Sequence, residues 1–328
     1  YLPYDLPNLQ KRFLQQIQPK LILLMETEIW PNLIKQAKKQ GIQVAIINAR
    51  LSERSLKGYH KISALIAPVL QEVDAILSQS ESDAQRFRHL AMDSGKPWIE
   101  VIGNIKFDQP KFADKDRQPM LAMQELWGKH RPVLILASTH EDEEKQVLKQ
   151  LHLIKQAVPD LVVLVAPRHP ERFKVVFEQA KNMGFVTYRR SQPHFIESDV
   201  EVIVIDCLGE LVQWYSLSNV AFVGGSLVPV GGHNVLEPVM AGIPVVTGPH
   251  MHNFVKITQL LSDAKAMISA KDVSELISTI IDLLTHPQHC KRLTDAADQV
   301  LSENKGALQR YQGWIEERMS ETNRIEVV

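Results

Sequence analysis

Two glutamates, Glu26 and Glu28, stand two residues apart just after an apolar run, and on extended backbone that spacing turns both carboxylates to one side. Lys106 follows another apolar run, and a lysine so placed is ordinarily a solvated surface group. Arg168, within Pro167-Arg-His-Pro-Glu-Arg172, offers a planar fork matched to phosphate oxygens, which a lysine would meet less well. Leu208-Gly209-Glu210 combines backbone groups with a carboxylate able to read a nucleobase edge, although Glu210 serves equally as a first-turn helix charge. The densest signal is the stretch with glycine pairs Gly224-Gly225 and Gly231-Gly232, followed by His233, Asn234, Val235, Leu236 and Glu237. Glycine pairs let backbone N–H groups approach a ligand closely. The helix start after them adds unpaired donors and a positive dipole end, a combination suited to phosphate. Glu237, one turn into that helix, can accept hydrogen bonds from ribose hydroxyls. One Gly-Gly alone would read as a tight turn.

Other patterns carry less. Ser138-Thr-His-Glu141 fits an N-cap with Glu141 or Asp142 in the first turn as well as it fits donor binding. Arg50, Arg54, Lys57 and Lys61 recur at helical spacing as a basic stripe, by default a solvated face. Asp114-Lys-Asp116 mimics an Asp-x-Asp metal motif but lies away from any strand end, and the histidines, His233 and His250 among them, lack a ligand spacing such as His-x-x-x-His. No metal and no cofactor is expected.

These residues need elements to position them, and the chain supplies an α/β alternation. Apolar runs at Leu21–Met25, Val44–Ile47, Ala75–Ser78 and Ile99–Ile102 read as strands, separated by helices at Leu6–Ile17, Leu33–Gln40 and Ser82–Leu90. A second series of strands begins at Val133–Ala137 and continues with Leu161–Ala166, Phe185–Tyr188, Val202–Ile205, Val220–Val223 and Val245–Thr247. Such alternation implies parallel strands with crossover helices, and open parallel sheets carry ligand chemistry at the carboxyl ends of their strands. The expected organisation is a first Rossmann-like domain at 1–112, a polar, proline-bounded linker at 113–119, a second Rossmann-like domain at 120–304, and a terminal segment at 305–328. That segment holds a helix, Leu308–Met319, packing back toward the first domain.

The 328 residues are 45% hydrophobic and 23% charged with a net charge of −1, which provides no global field for nucleic acid. Two cysteines, Cys207 and Cys290, point to a reducing compartment and give no disulfide framework. No run approaches the ~18 apolar residues of a membrane span. The chain opens on Tyr1 without an initiator methionine, and its first domain is short; both point to a piece of a longer protein, with opening strands and any anchor upstream.

The glycine stretch, with Glu26-Thr-Glu-Ile-Trp-Pro-Asn32, Asn48-Ala-Arg-Leu-Ser-Glu-Arg54, Gly103-Asn-Ile-Lys-Phe-Asp108, Ser138-Thr-His-Glu141, Pro167-Arg-His-Pro-Glu-Arg-Phe173 and Leu208-Gly-Glu-Leu211, closely resembles the 3-deoxy-D-manno-octulosonic acid (Kdo) transferases. These are GT-B glycosyltransferases of lipopolysaccharide synthesis, and the match runs from Tyr1 to about Asn304. The resemblance implies two Rossmann-like domains facing a cleft, the first N-terminally incomplete. It implies inverting transfer of Kdo from CMP-Kdo to a phosphorylated lipid A precursor, without a metal, at the cytoplasmic face of the bacterial inner membrane, the anchor lying outside this chain. By the same resemblance Pro167, Arg168, Leu208, Gly209, Glu210, Asn234, Val235, Leu236 and Glu237 line the CMP site. Glu28, or alternatively Glu26, is the transition-state carboxylate, and Lys106 is its cationic partner. The family's general base is a glutamate on an early glycine-rich loop that these residues do not contain, so this chain is expected to bind CMP and to transfer little Kdo. Two rivals remain: a nucleotide-sugar epimerase of the same architecture, separable by whether CMP or UDP binds, and a catalytically silent nucleotide-binding module.

Overall fold

The computed structural model describes residues 2–92, 95–108, 114–193 and 196–325; the side chains of 114–119 and 321–325 fall outside that description. The chain divides into two compact units, Tyr1–Gln109 with Asn304–Val328, and Pro110–Glu303.

The first unit is built on a four-stranded sheet: β1 (Leu21–Met25), β2 (Gln43–Ala49), β3 (Ala75–Ser78) and β4 (Trp98–Val101), in the order β1-β2-β3-β4 and parallel throughout. Val44, Ala45, Ile46, Ile76 and Leu77 are fully enclosed, as continuous apolar strands between two helical layers should be. Ser52 and Ser80 start the helices after β2 and β3 by accepting hydrogen bonds from the Ser55 and Asp83 amides. A terminal helix, Ala307–Ile325, longer than the sequence predicts, is fastened to the same unit. Tyr311 is buried there, its hydroxyl accepting from the Asn48 amide at 3.1 Å and lying 3.2 Å from the Leu77 carbonyl. Asp108 accepts from the Gly306 and Leu308 amides at 2.6 and 2.7 Å, and the Arg310 guanidinium donates twice to the Ile102 carbonyl. The C-terminal helix is thereby tied to the turn that carries Lys106.

The second unit holds a seven-stranded parallel sheet: β5 (Val133–Thr139), β6 (Val162–Pro167), β7 (Thr187–Arg189), β8 (Val202–Val204), β9 (Val220–Val223), β10 (Val245–Thr247) and β11 (Ile268–Ser269), in the order β11-β10-β9-β5-β6-β8-β7. One face packs Leu134, Leu136, Val163 and Phe222 beneath helices rich in leucine and isoleucine; the other packs Ile135, Leu164, Ile203 and Trp214. The alternation of strand side chains places successive residues in these two layers. The strand β11, two residues long, has no sequence signature of its own.

Segment 113–119, expected as a linker, is helical from Asp114, where a helix runs to Trp127 within the second unit; residues 109–113, including the expected boundary at 112, lie outside the described residues. The reason is the burial of Met120, Met123 and Trp127 along one face, at spacings of three and four that hold the helix in place. Trp127 stacks on Trp214 with ring centroids 6.3 Å apart. No described helix is long and apolar enough to cross a membrane.

Candidate functional site

Sheet order explains why motifs far apart in sequence meet in the second unit. The strands β9, β5, β6 and β8 are consecutive neighbours and parallel, so their carboxyl ends share one edge. The glycine stretch leaves β9, Ser138–Glu141 leaves β5, Pro167-Arg168 closes β6, and Leu208–Glu210 follows β8.

The two glycine pairs turn their amides onto the protein itself, where the sequence leads one to expect them held out to a ligand. The Gly224 amide donates to the Ala137 carbonyl at 2.8 Å, and those of Gly231 and Gly232 both donate to the Gly225 carbonyl, at 3.1 and 2.7 Å. Three further amides of the loop converge on Glu143, a fully buried residue. Its carboxylate accepts from the amides of Gly225 (2.7 Å), Ser226 (2.9 Å), Leu227 (2.8 Å) and His140 (2.9 Å). The anion that fills this nest belongs to the protein itself. Desolvating a carboxylate is costly unless its lone pairs are taken, and four N–H donors take them. Gly224 is required sterically, since a Cβ there would stand 2.7 Å from the Ser138 carbonyl oxygen and 2.8 Å from Glu143. Gly225 and Gly232 are required conformationally, with φ of 67° and 76°.

Sequence reasoning passed over Glu143. It weighed Glu141 and Asp142 as first-turn charges, but Glu141 is exposed and Asp142 makes no side-chain cap. The available signal was a run of four acids, Glu141 to Glu144, an unusual density for a turn. Glu144 is buried too, bound to the Thr139 hydroxyl at 2.9 Å and the Arg172 guanidinium at 3.0 Å, and burial raises its carboxyl pKa.

Against this clamp lie three histidines. His140 and His233 approach Nε2 to Nε2 at 2.8 Å with rings nearly parallel, and His169 meets His140 edge-on with centroids 5.1 Å apart. Burial, and then the neighbouring His140 and Arg168, push the His233 pKa down to about 4; burial likewise lowers that of His140. Arg168 itself is exposed. Its amide is fixed to the Thr139 carbonyl at 2.9 Å, while its guanidinium has no hydrogen-bond or ion-pair partner among the described residues. Pro167 is buried at the end of β6.

The other expected nucleotide contacts divide. Glu210 is committed to Arg190, which donates to both of its oxygens at 2.9 and 3.2 Å, so its carboxylate is not free as the sequence suggests. Leu208 is 71% exposed and Gly209 sits at φ 82°, presenting that loop's backbone outward. The helix expected after the glycine pairs is short, Leu236–Met240, and begins after Asn234, which turns its side chain onto the chain: its Oδ1 accepts from the Leu236 amide at 3.1 Å. Its Nδ2 donates to Glu237 at 3.0 Å, leaving the second Glu237 oxygen without a partner among the described residues. The side chains of Val235 and Leu236 are wholly buried, which leaves those positions only backbone groups to offer.

In the first unit, Lys106 donates to Glu26 at 3.1 Å, with both side chains about one-third exposed at 35% and 34%. Glu28 accepts instead from the Trp30 indole at 2.8 Å. The two carboxylates take different partners, and the spacing rule for extended backbone does not apply, because β1 stops at Met25 and Glu26 turns at φ 54°. Asn104 and Asn48 hold the turn at Ile105–Asp108 by accepting from the Lys106 and Ile105 amides. Of the basic stripe, Arg54, Lys57 and Lys61 are exposed and Arg50 half-buried.

Comparison with known proteins follows the same division. A family model described as "3-Deoxy-D-manno-octulosonic-acid transferase (kdotransferase)" matches residues 1–109. The 3-deoxy-D-manno-octulosonic acid transferase of Haemophilus influenzae is 39% identical over 311 residues, covering 94% of this chain and 72% of that protein. The crystal structure of the C-terminal CMP-Kdo binding domain of WaaA from Acinetobacter baumannii, 38% identical, covers 58% of this chain and 99% of that one with a TM-score of 0.55. A Listeria monocytogenes structure described as a putative UDP-N-acetylglucosamine 2-epimerase, 17% identical, covers 96% of this chain and 78% of its own with a TM-score of 0.60, a likeness of fold. Two parallel-sheet α/β units with such neighbours constitute the GT-B fold.

Proposed function

The chain belongs to the 3-deoxy-D-manno-octulosonic acid transferase family, and from that premise we propose that its second unit binds CMP-Kdo as donor for inverting transfer to a phosphorylated lipid A precursor. The observation that carries this reading is Arg168: a guanidinium with no partner among the described residues, at a strand's carboxyl end, beside a loop in which the amides of Gly224 to Leu227, Gly231 and Gly232 are already used. It supplies two parallel donors to the CMP phosphate. The open oxygen of Glu237 takes a ribose hydroxyl, and the backbone of Leu208, Gly209, Val235 and Leu236 lines the nucleoside with Pro167 and Asn234. Glu210 acts through Arg190, keeping the loop after β8 in place.

For the first unit we assign Lys106, held by Glu26, as the cation that opposes charge on the leaving phosphate. Glu28, exposed and oriented by one indole bond, is the transition-state carboxylate. The exposed Arg54, Lys57 and Lys61 suit an acceptor bearing phosphates at an anionic membrane surface, in keeping with action at the cytoplasmic face of the inner membrane.

Calorimetric titration with CMP and with UDP tests the donor reading. CMP should bind and UDP should bind far more weakly. Preference for UDP would favour the epimerase reading, for which the likeness of fold to the Listeria structure speaks.

A further inference from the structure

The donor reading gives His140 and His233 no task, yet the loop is shaped around them. Gly225 lies under the pair: a Cβ there would stand 3.1 Å from the His233 ring and 3.4 Å from that of His140. One oxygen of Glu143 holds both the Gly225 amide at 2.7 Å and the His140 amide at 2.9 Å, so loop and histidine are set by one group.

An Nε2–Nε2 approach of 2.8 Å is a hydrogen bond in which one ring donates and the other accepts. The pair therefore holds one extra proton without breaking that bond, on Nδ1 of the donating ring, because Nδ1 of the accepting ring already carries its hydrogen; it does not hold two. What faces it is mostly cationic. Burial is the largest influence on both rings; Arg168 and His169 oppose a proton on both and Arg172 on His140, while Glu143 favours one on His140. Of the nearby carboxylates, Glu143 is spent on four amides, Glu144 on Thr139 and Arg172, and Glu171 reaches only His169, at 3.9 Å. Both rings are accordingly neutral at pH 7 without a ligand. Arg168 stands alongside with no ion-pair partner among the described residues.

We infer that the His140–His233 pair, with Arg168, is an anion subsite that takes up one proton from solvent as it receives an anionic oxygen of the donor. That oxygen belongs either to the nucleotide phosphate or to the carboxylate of the sugar acid. The inference rests on the CMP-Kdo reading of this unit and adds to it a subsite and a proton. An incoming anion supplies the charge that the protein withholds, and the imidazolium then gives a charge-assisted hydrogen bond. The ligand keeps its charge, and the pair passes from neutral to +1.

The experiment is titration calorimetry at pH 7 in buffers of different ionisation enthalpy, with CMP, free Kdo and CMP-Kdo as separate probes, on the wild type and on His233→Gln. The readout is the difference between the two proteins in protons taken up, because a nucleotide monophosphate titrates near pH 6 by itself. Uptake by the wild type that His233→Gln abolishes is the expected result, with affinity rising up to about tenfold per pH unit as pH falls. Uptake with CMP assigns the phosphate; uptake with CMP-Kdo or Kdo alone assigns the carboxylate. Binding with no proton uptake, or with uptake unchanged in His233→Gln, overturns the inference and leaves the donor reading standing. Failure of CMP and CMP-Kdo to bind at all overturns both. Histidine Cε1–H shifts of the wild-type protein, followed on adding CMP-Kdo, report the same protonation without any variant. Unmoved imidazole resonances contradict it.

Discussion

The glycine loop of the second unit and the Glu26–Lys106 turn of the first both set a carboxylate against donors, yet burial makes them different devices. Glu143 is fully enclosed and holds four amides from two loops; Glu26 is one-third exposed and holds one lysine. In water a single half-exposed pair contributes little, because solvent screens it and both side chains lose freedom. In the interior the same charge is expensive to bare and so fixes whatever surrounds it. The buried device sets the shape of a loop; the other leaves its lysine partly exposed to solvent. A glycine-rich loop therefore need not be a phosphate cradle, since here the protein's own carboxylate occupies the nest, and the proposed ligand contact is instead the exposed Arg168.

The contrast breaks most visibly at Glu143. Replacement by alanine should cost about 3–5 kcal/mol of stability in denaturant unfolding, the range for removing one member of a buried charged network. A cost below about 1 kcal/mol would mean the amides find other partners easily. Arg168→Ala should weaken CMP binding by about 1.5–3 kcal/mol, one charge-assisted interaction, with the unfolding midpoint unchanged. Glu237→Ala should weaken CMP by about 1–3 kcal/mol, and unchanged affinity removes it from the site. Lys106→Ala sharpens the other side: its effect on stability should stay under about 1 kcal/mol.

The histidines add a dependence on pH. His233 is depressed in the folded protein to about 4, from an ordinary value of 6.5, so below pH 6.5 the unfolded chain binds more protons than the native one. Its contribution to stability is present above pH 6.5 and is lost as pH falls toward 4. The unfolding midpoint should drop across that window in the wild type and drop less in His233→Gln; equal slopes would show that the pair is not responsible.

Local pattern carried much of this molecule. The run Val220–Val223 is a strand because a short, wholly apolar segment between helices fits a sheet covered on both faces, and parallel topology then sends Arg168 and the glycine loop to one edge; Leu21–Met25 is as apolar but lies at a sheet edge with Leu23 and Met25 exposed. Illegible were the pairings that close over distance. Glu143 meets amides 82 to 84 residues away and Glu210 meets Arg190 20 residues back, and no periodicity encodes such contacts. The turn at Glu26 was hidden for a different reason, since nothing in Met25-Glu-Thr marks a positive φ in a residue other than glycine. Segment 114–119 looked like a linker from its charges and prolines, whereas the apolar face that makes it helical begins only at Met120.

Titration of CMP into the wild-type protein and into Arg168→Ala, with UDP as control, tests the central claim most directly. CMP should bind the wild type in preference to UDP and lose roughly tenfold or more of its affinity in the variant, the equivalent of one charge-assisted contact. Equal CMP affinity in the two proteins, or tighter binding of UDP, would contradict it.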